Sequence, residues 1–439
     1  MNKYCLDENI KKIIEENAKL IDESNFDEIY SKIINKHHFE ECDKVFEIFS
    51  KVDIIEDKNS IIRNYHMMNR IRQIKCYNVG FGDCFLCKDK NECGPTMLVD
   101  FGGETKKLIN VTSDLIREFS SSKRKYLMLS HLHRDHYCGL KHLQRKVVFD
   151  EIYLPNYIAN YGIEILGEVL LTSTNSALIN LVKEMLKIPG LLHDCVNNKT
   201  KVHLLLEGGS IHNSLCAFDV LLPLKNSICY NANRVLPNFV SEQIQKFAEA
   251  YKRLIGYEES ENNDVIVSIS NDNLVKDVET LINKMLNSRQ DNEINFNQSE
   301  IKKKFDNYHN ALSLAFHQKY VKDDENVLFL GDSVPKDIKY LADNNKLKNE
   351  YYFIKVQHHG TKNYFHNTLP KTIWLAIPNG GNMQSWQITK DYDCKYGNNT
   401  NFICTNNCNC EKFKNNIFCD AYKNLDTQCG VNLSCTVKI

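Results

Sequence analysis

An apolar segment that stops and passes at once into metal-binding side chains constrains this chain more than any other feature. Tyr126-Leu127-Met128-Leu129 reads as a buried strand, and Ser130-His131-Leu132-His133-Arg134-Asp135-His136 follows without a break. Alternate residues of an extended turn point the same way, so His131 and His133 can share one ion. Asp135 and His136 then turn toward a second ion beside it. Imidazole with carboxylate suits Zn²⁺, with Mn²⁺ or Fe as substitutes. The plain alternative is a solvated loop rich in histidine, and so constrained a spacing argues against it.

Three further apolar segments end in residues of the same kind. Thr96-Met97-Leu98-Val99-Asp100-Phe101-Gly102-Gly103 runs into an Asp and two glycines, and Asn326-Val327-Leu328-Phe329-Leu330-Gly331-Asp332-Ser333 ends in Gly-Asp. Phe353-Ile354-Lys355-Val356-Gln357-His358-His359-Gly360 ends in His-His-Gly. Chemistry placed where hydrophobic strands stop is a common way to build a site on a rigid sheet. With Ser130 to His136, these segments resemble the metallo-β-lactamase superfamily. Val79-Gly80-Phe81-Gly82-Asp83-Cys84-Phe85-Leu86 resembles the opening of the hydrolase domain in competence-type (ComEC-like) DNA-internalisation proteins. The segment Lys355 to Gly360 is similar to that group and to bacterial phosphorylcholine esterases. The likeness spans about residues 71 to 385. It departs from the competence-type pattern at Gly380-Gly381-Asn382-Met383-Gln384-Ser385-Trp386, where that group often carries Gly-His-Pro, and at Cys138-Gly139 in place of Gly-Gly.

The resemblance implies an α/β chain with the αββα sandwich of that superfamily and a centre of two Zn²⁺ (or Mn²⁺). In it His131 and His133 would bind the first metal, Asp135 and His136 the second, and Asp332 would bridge them. The last ligand is one of His358 and His359; we take His359, leaving His358 to contact substrate or a leaving oxygen. His309, just before the strand that precedes the Gly-Asp strand, stands where the superfamily places the third ligand of the first metal. His203, His212 and His317 are poorer candidates for that place. Asp100 would stand behind a ligand histidine and orient it. Asp135 and His358 are the residues read as catalytic. The nucleophile would be a metal-bridging hydroxide, since no Ser or Cys nucleophile elbow is in view.

These features lead to a dinuclear metal-dependent hydrolase acting on a phosphodiester, as a phosphodiesterase or nuclease. A small-ester or phosphorylcholine-type esterase is the alternative, as is a partner-binding module of a bacterial defence complex. Nucleic acid or a small phosphodiester is the expected partner, with a protein partner through the N-terminal region. The net charge is −1, so no global basic field attracts nucleic acid. Lys123-Arg124-Lys125 and Lys302-Lys303-Lys304 are local basic clusters, each read first as a solvated face.

Residues 1–70 show helix-like spacing and read as a helical extension; 71–390 alternate strands and helices, with a helical insertion at about 225–305; 391–439 form a Cys-rich tail. Helices are expected at Gln243 to Leu254 and Val275 to Leu286. Of the 17 cysteines, seven follow residue 390, and Cys404, Cys408, Cys410 and Cys419 are candidates for a structural zinc knuckle. Cys84 and Cys87 make a weaker pair. The first residues are polar and charged rather than a signal peptide, and no apolar run approaches the ~20 residues that span a bilayer. A cytoplasmic, reducing location without membrane contact is therefore expected.

Overall fold

Strands that are apolar on both faces need a layer on each side, and this requirement sets the architecture. The computed structural model describes residues 70–90, 93–158, 162–224, 237–259, 265–267, 273–288, 296–379, 388–405 and 434–439. The first elements are β1 (Gln73–Tyr77), β2 (Cys84–Lys88), β3 (Thr96–Phe101), α1 (Thr105–Ser121), β4 (Lys125–Met128), α2 (Arg134–Tyr137) and β5 (Glu151–Pro155). Next come α3 (Gly162–Thr172), α4 (Ser176–His193), β6 (Lys201–Leu205), β7 (Ser210–His212) and β8 (Ala217–Leu222). They are followed by α5 (Asn238–Leu254), β9 (Glu258–Glu259), β10 (Val265–Val267), α6 (Leu274–Asn287) and α7 (Gln298–Asn310). The chain then forms β11 (Ala315–Gln318), β12 (Val327–Phe329), α8 (Pro335–Asp343), β13 (Glu350–Lys355), β14 (Lys371–Ile377), α9 (Asp391–Tyr396), β15 (Asn401–Cys404) and β16 (Ser434–Lys438).

Two mixed sheets result, one in the order β16-β1-β2-β3-β4-β5-β6-β10-β9 and the other β15-β14-β13-β12-β11-β8-β7. Their inner faces share one apolar core, where Met97, Val99, Tyr126 and Met128 meet Phe316, Val327, Phe329 and Phe353. Period-two alternation sends the intervening residues outward. Leu98 and Leu127 belong to the apolar cluster that α1, α3, α4, α5 and α6 share on one side, and Leu328 and Ile354 to the cluster with α8 and α9 on the other. The chain is thus α/β, with helices outside each of two facing sheets. Helix α1 buries Leu108, Val111, Leu115 and Phe119, the three-and-four spacing of an apolar stripe. Asn175 caps α4 and Asn297 caps α7, each side chain accepting backbone N–H groups of the first turn.

Strands β3, β4, β5 and β6 run parallel, as do β12, β13, β14 and β15. Parallel strands bring their carboxyl ends to one edge, where α/β sheets commonly place ligand sites. The segments after β4, β12 and β13 carry most of the histidines and aspartates singled out above; Asp100 lies near the end of β3 and His309 in the last turn of α7.

Several expectations need correction. The insertion is not helical alone: β10 pairs with β6, Val265 opposite Leu204, and extends the first sheet. Helix α5 begins at Asn238, earlier than Gln243, because Val240 already belongs to its buried stripe with Ile244, Phe247 and Tyr251. The described part of the tail begins with α9 and includes two strands, β15 at the edge of one sheet and β16 at the edge of the other, which bury Ile403 and Val437 between the sheets. Cys84 and Cys87 lie in β2 on opposite faces, one in each apolar cluster, so they cannot share an ion. Lys304 is no solvated charge: it is buried in an ion pair with Glu168. Most of the N-terminal extension (1–69), the segment 380–387, and Cys408, Cys410 and Cys419 lie outside the described residues. No described helix is long and apolar enough to cross a membrane.

Candidate metal centre

The backbone between β4 and α2 is held from below by glycines. A Cβ on Gly102 would lie 2.3 Å from the carbonyl oxygen of Asp135, so only glycine lets the end of β3 approach the histidine loop this closely. Gly331 sits at φ +50°, and a Cβ there would lie 2.7 Å from the carbonyl oxygen of Leu314. Three non-glycine residues of the site also take left-handed backbone: Asp100 at φ 57°, His358 at 45° and His359 at 54°. Such conformations cost roughly 1–3 kcal/mol each and persist where the surroundings over-determine them. Here His358 N donates to Gly331 O at 3.1 Å and Asn379 Nδ2 to His359 O at 3.2 Å.

His131, His133 and His309 form one donor group, and Asp135, His136 and His359 a second, with donor atoms inside each group within 4.8 Å of one another. Asp83, His136 and Asp332 form a third. In the first group His131 Nε2 lies 2.7 Å from His133 Nδ1, and the rings of His133 and His309 are 3.9 Å apart. Nitrogens this close call for a shared proton or cation. Burial, with neighbouring imidazoles, pushes His131 and His309 well below the ordinary imidazole range, which leaves neutral donors. Ser313 Oγ meets His131 Nδ1 at 3.1 Å and fixes the ring so that Nε2 faces inward.

In the second group, His136 Nδ1 bonds Asp100 Oδ2 at 2.9 Å, while its Nε2 faces Asp332 Oδ2 at 3.3 Å. Asp100 in turn accepts from the backbone N–H of Ser130 at 2.7 Å and from its hydroxyl. His359 Nδ1 lies 3.2 Å from Asp83 Oδ1, and its Nε2 bonds Asp135 Oδ2 at 3.1 Å. Each ring thus has a carboxylate behind it and Nε2 turned to the centre. Burial opposes charge on both imidazoles, but the surrounding carboxylates win, raising His136 well above its usual value and His359 to about 9. Burial likewise opposes ionisation of Asp332 and Asp135, and the same imidazoles hold both well below the usual carboxylate range. His358 is different. Burial pushes it down to about 4, its Nδ1 meets Thr361 Oγ1 at 2.9 Å, and its ring stacks on Tyr364 at 3.6 Å. Its Nε2 stands 4.0 Å from Asp332 Oδ2, at the rim of the donor groups.

The donors fit a divalent cation on two counts. Their chemistry is borderline-soft nitrogen with carboxylate oxygen, and His136 Nε2 and His309 Nε2 are buried without a hydrogen-bond partner. The eight residues read from the sequence as ligands or catalytic groups lie together here, with Asp100 behind His136. His203 instead lies beside Glu151, His317 bonds Tyr351, and His212 is exposed against Tyr320. Sequence reasoning assigned no role to Asp83, Lys355 or Ser313. Lys355 did leave a signal, a lysine inside the apolar run Phe353 to Val356, which a buried strand tolerates only with a partner.

No family model matches the chain, and no curated protein does.

Proposed function

We propose that this protein is a metallo-β-lactamase-fold hydrolase that holds two divalent ions, Zn²⁺ or Mn²⁺, and cleaves a phosphodiester. The observation that carries the reading is the adjacency of a three-histidine group and an Asp-His-His group with the carboxylate of Asp332 beside them. His131, His133 and His309 would hold one ion; Asp135, His136 and His359 the other; Asp332 would reach both. Ions so held supply Lewis-acid charge that makes a water nucleophilic at neutral pH and stabilises negative charge on the substrate.

The chain's own residues supply orientation and proton handling. Asp100 and Asp83 fix the tautomers of His136 and His359 through Nδ1. His358, neutral at physiological pH and tied at Nδ1 by Thr361, turns Nε2 toward Asp332 at the rim of the donor groups, where it would meet a phosphoryl oxygen or a leaving oxygen. A small diester is favoured over a long polymer, because the net charge is −1 and the cluster at Lys302 to Lys304 is largely spent internally. Lys302 pairs with Asp306 at 2.7 Å and Lys304 with buried Glu168.

Metal-loaded protein compared on bis-p-nitrophenyl phosphate, p-nitrophenyl phosphorylcholine, single-stranded and duplex DNA, and RNA tests this. Turnover of the bis ester that disappears in His136→Ala supports the proposal. Cleavage of the choline ester alone would replace it with the esterase reading.

A further inference from the structure

A lysine ammonium buried among metal-ligand candidates is costly, and its contacts here are specific. Lys355, at the last position of β13, has a side chain only 2% exposed. Its Nζ lies 2.5 Å from Asp83 Oδ2, 3.7 Å from Asp332 Oδ1, and donates to the carbonyl oxygen of Gly331 at 2.9 Å. On the other side of Asp332, the nearby imidazole nitrogens converge on Oδ2. His136 Nε2 is at 3.3 Å, His359 Nε2 at 3.8 Å and His358 Nε2 at 4.0 Å. The two oxygens of Asp332 therefore face different partners, Oδ1 the ammonium and Oδ2 the histidines.

We propose that Lys355 is a positioning residue of the metal centre: it holds Asp83 behind His359 and occupies the Oδ1 side of Asp332, so that Oδ2 alone is presented to the ions. The inference rests on the two-ion reading above. Its bond to Gly331 O also ties down the turn that carries Asp332, where φ is +50°. Lys355 is too deeply buried to meet substrate, so its action runs through Asp83 and Asp332.

Charge and position predict opposite outcomes, which makes the inference testable. If Lys355 were only a nearby positive charge, its removal would tighten binding of a second cation. If it positions the carboxylates, removal loosens that ion by about 10- to 100-fold, as for lost partners behind metal ligands. The experiment titrates the metal-stripped full chain with Zn²⁺ against a competing chelator, and with Co²⁺ to record the visible spectrum of each site. Wild type, Lys355→Met and Lys355→Met with Asp83→Asn are compared. The double variant removes the carboxylate that the single one leaves buried without its cation, and so guards against misfolding. Weaker second-ion binding in the folded variants, with an altered Co²⁺ spectrum for that ion and an unchanged first-ion affinity, is the expected result. Second-ion affinity equal to or tighter than wild type in either folded variant would overturn the inference while leaving the two-ion reading standing. A wild-type chain that takes up no second ion would overturn that reading, and this inference with it.

Discussion

The paired histidines after β13 show how closely neighbouring side chains can differ in task. His359 Nε2 is 3.1 Å from Asp135 and has Asp83 behind it, whereas His358 stacks on Tyr364 and reaches only the rim. His359→Ala should therefore cost bound metal. His358→Ala should leave metal content unchanged and lower kcat by about 10²- to 10⁴-fold, the range of a lost proton-handling group. Elemental analysis beside steady-state kinetics on bis-p-nitrophenyl phosphate separates the two, and equal metal loss in both variants would contradict the assignment. Asp100→Asn is the complementary case. Asparagine tolerates the left-handed backbone at this position but cannot hold the proton of His136 as a carboxylate does. Metal affinity, measured by chelator competition, should fall about 10- to 100-fold with little change in melting temperature. The grouped donor residues were legible in the sequence because His-x-His-x-Asp-His is a spacing that favours bringing them together. Asp83, Lys355 and Ser313 were not, because what they do depends on strands far apart in sequence meeting at one edge.

Among the elements, α7 links the insertion to the centre, for it ends in the turn that carries His309 and is anchored by the buried pair Lys304–Glu168. Phe305 stacks on His309, with ring centres 5.2 Å apart, and Tyr308 donates its hydroxyl to the carbonyl of Tyr157. Breaking a buried pair from one side leaves a stranded charge, so Lys304→Met should destabilise the protein by about 3–5 kcal/mol in denaturant unfolding. Lys304→Met with Glu168→Met should recover most of that, and failure to recover would mean that the pair itself is not what holds α7. Helix α8 offers a pH-dependent case. Asp337 is buried in its first turn, and burial raises its carboxyl from 3.8 to about 6. Between those values the folded chain keeps a proton that the unfolded chain has released, so this residue lowers stability as pH rises through the window. Asp337→Asn should therefore stabilise by about 2–3 kcal/mol at pH 7 and by nothing near pH 3. A pH series of melting curves that runs parallel to wild type would contradict this. The central strands could be read from their apolar runs. Strands β9 and β10 could not, since such short strands exist only through pairing at the sheet edge.

For the whole molecule, two parallel strand sets bring their carboxyl ends to a common edge, and the donor groups sit there. With no net basic field, catalysis on a small diester should change less than about twofold between low and physiological salt. Binding of single-stranded DNA should be weak throughout, in contrast to the steep salt dependence of proteins that release many counterions. A steep salt slope in either assay would point instead to a polymer substrate. The most direct test of the central claim is metal stoichiometry. Chelator-stripped protein titrated with Zn²⁺ and analysed for bound metal should take up about two ions attributable to this centre. His131→Ala with His133→Ala should lose one of them, and Asp135→Ala with His136→Ala the other. A wild-type chain that binds no transition metal, or whose bound metal is indifferent to all four substitutions, would contradict the account.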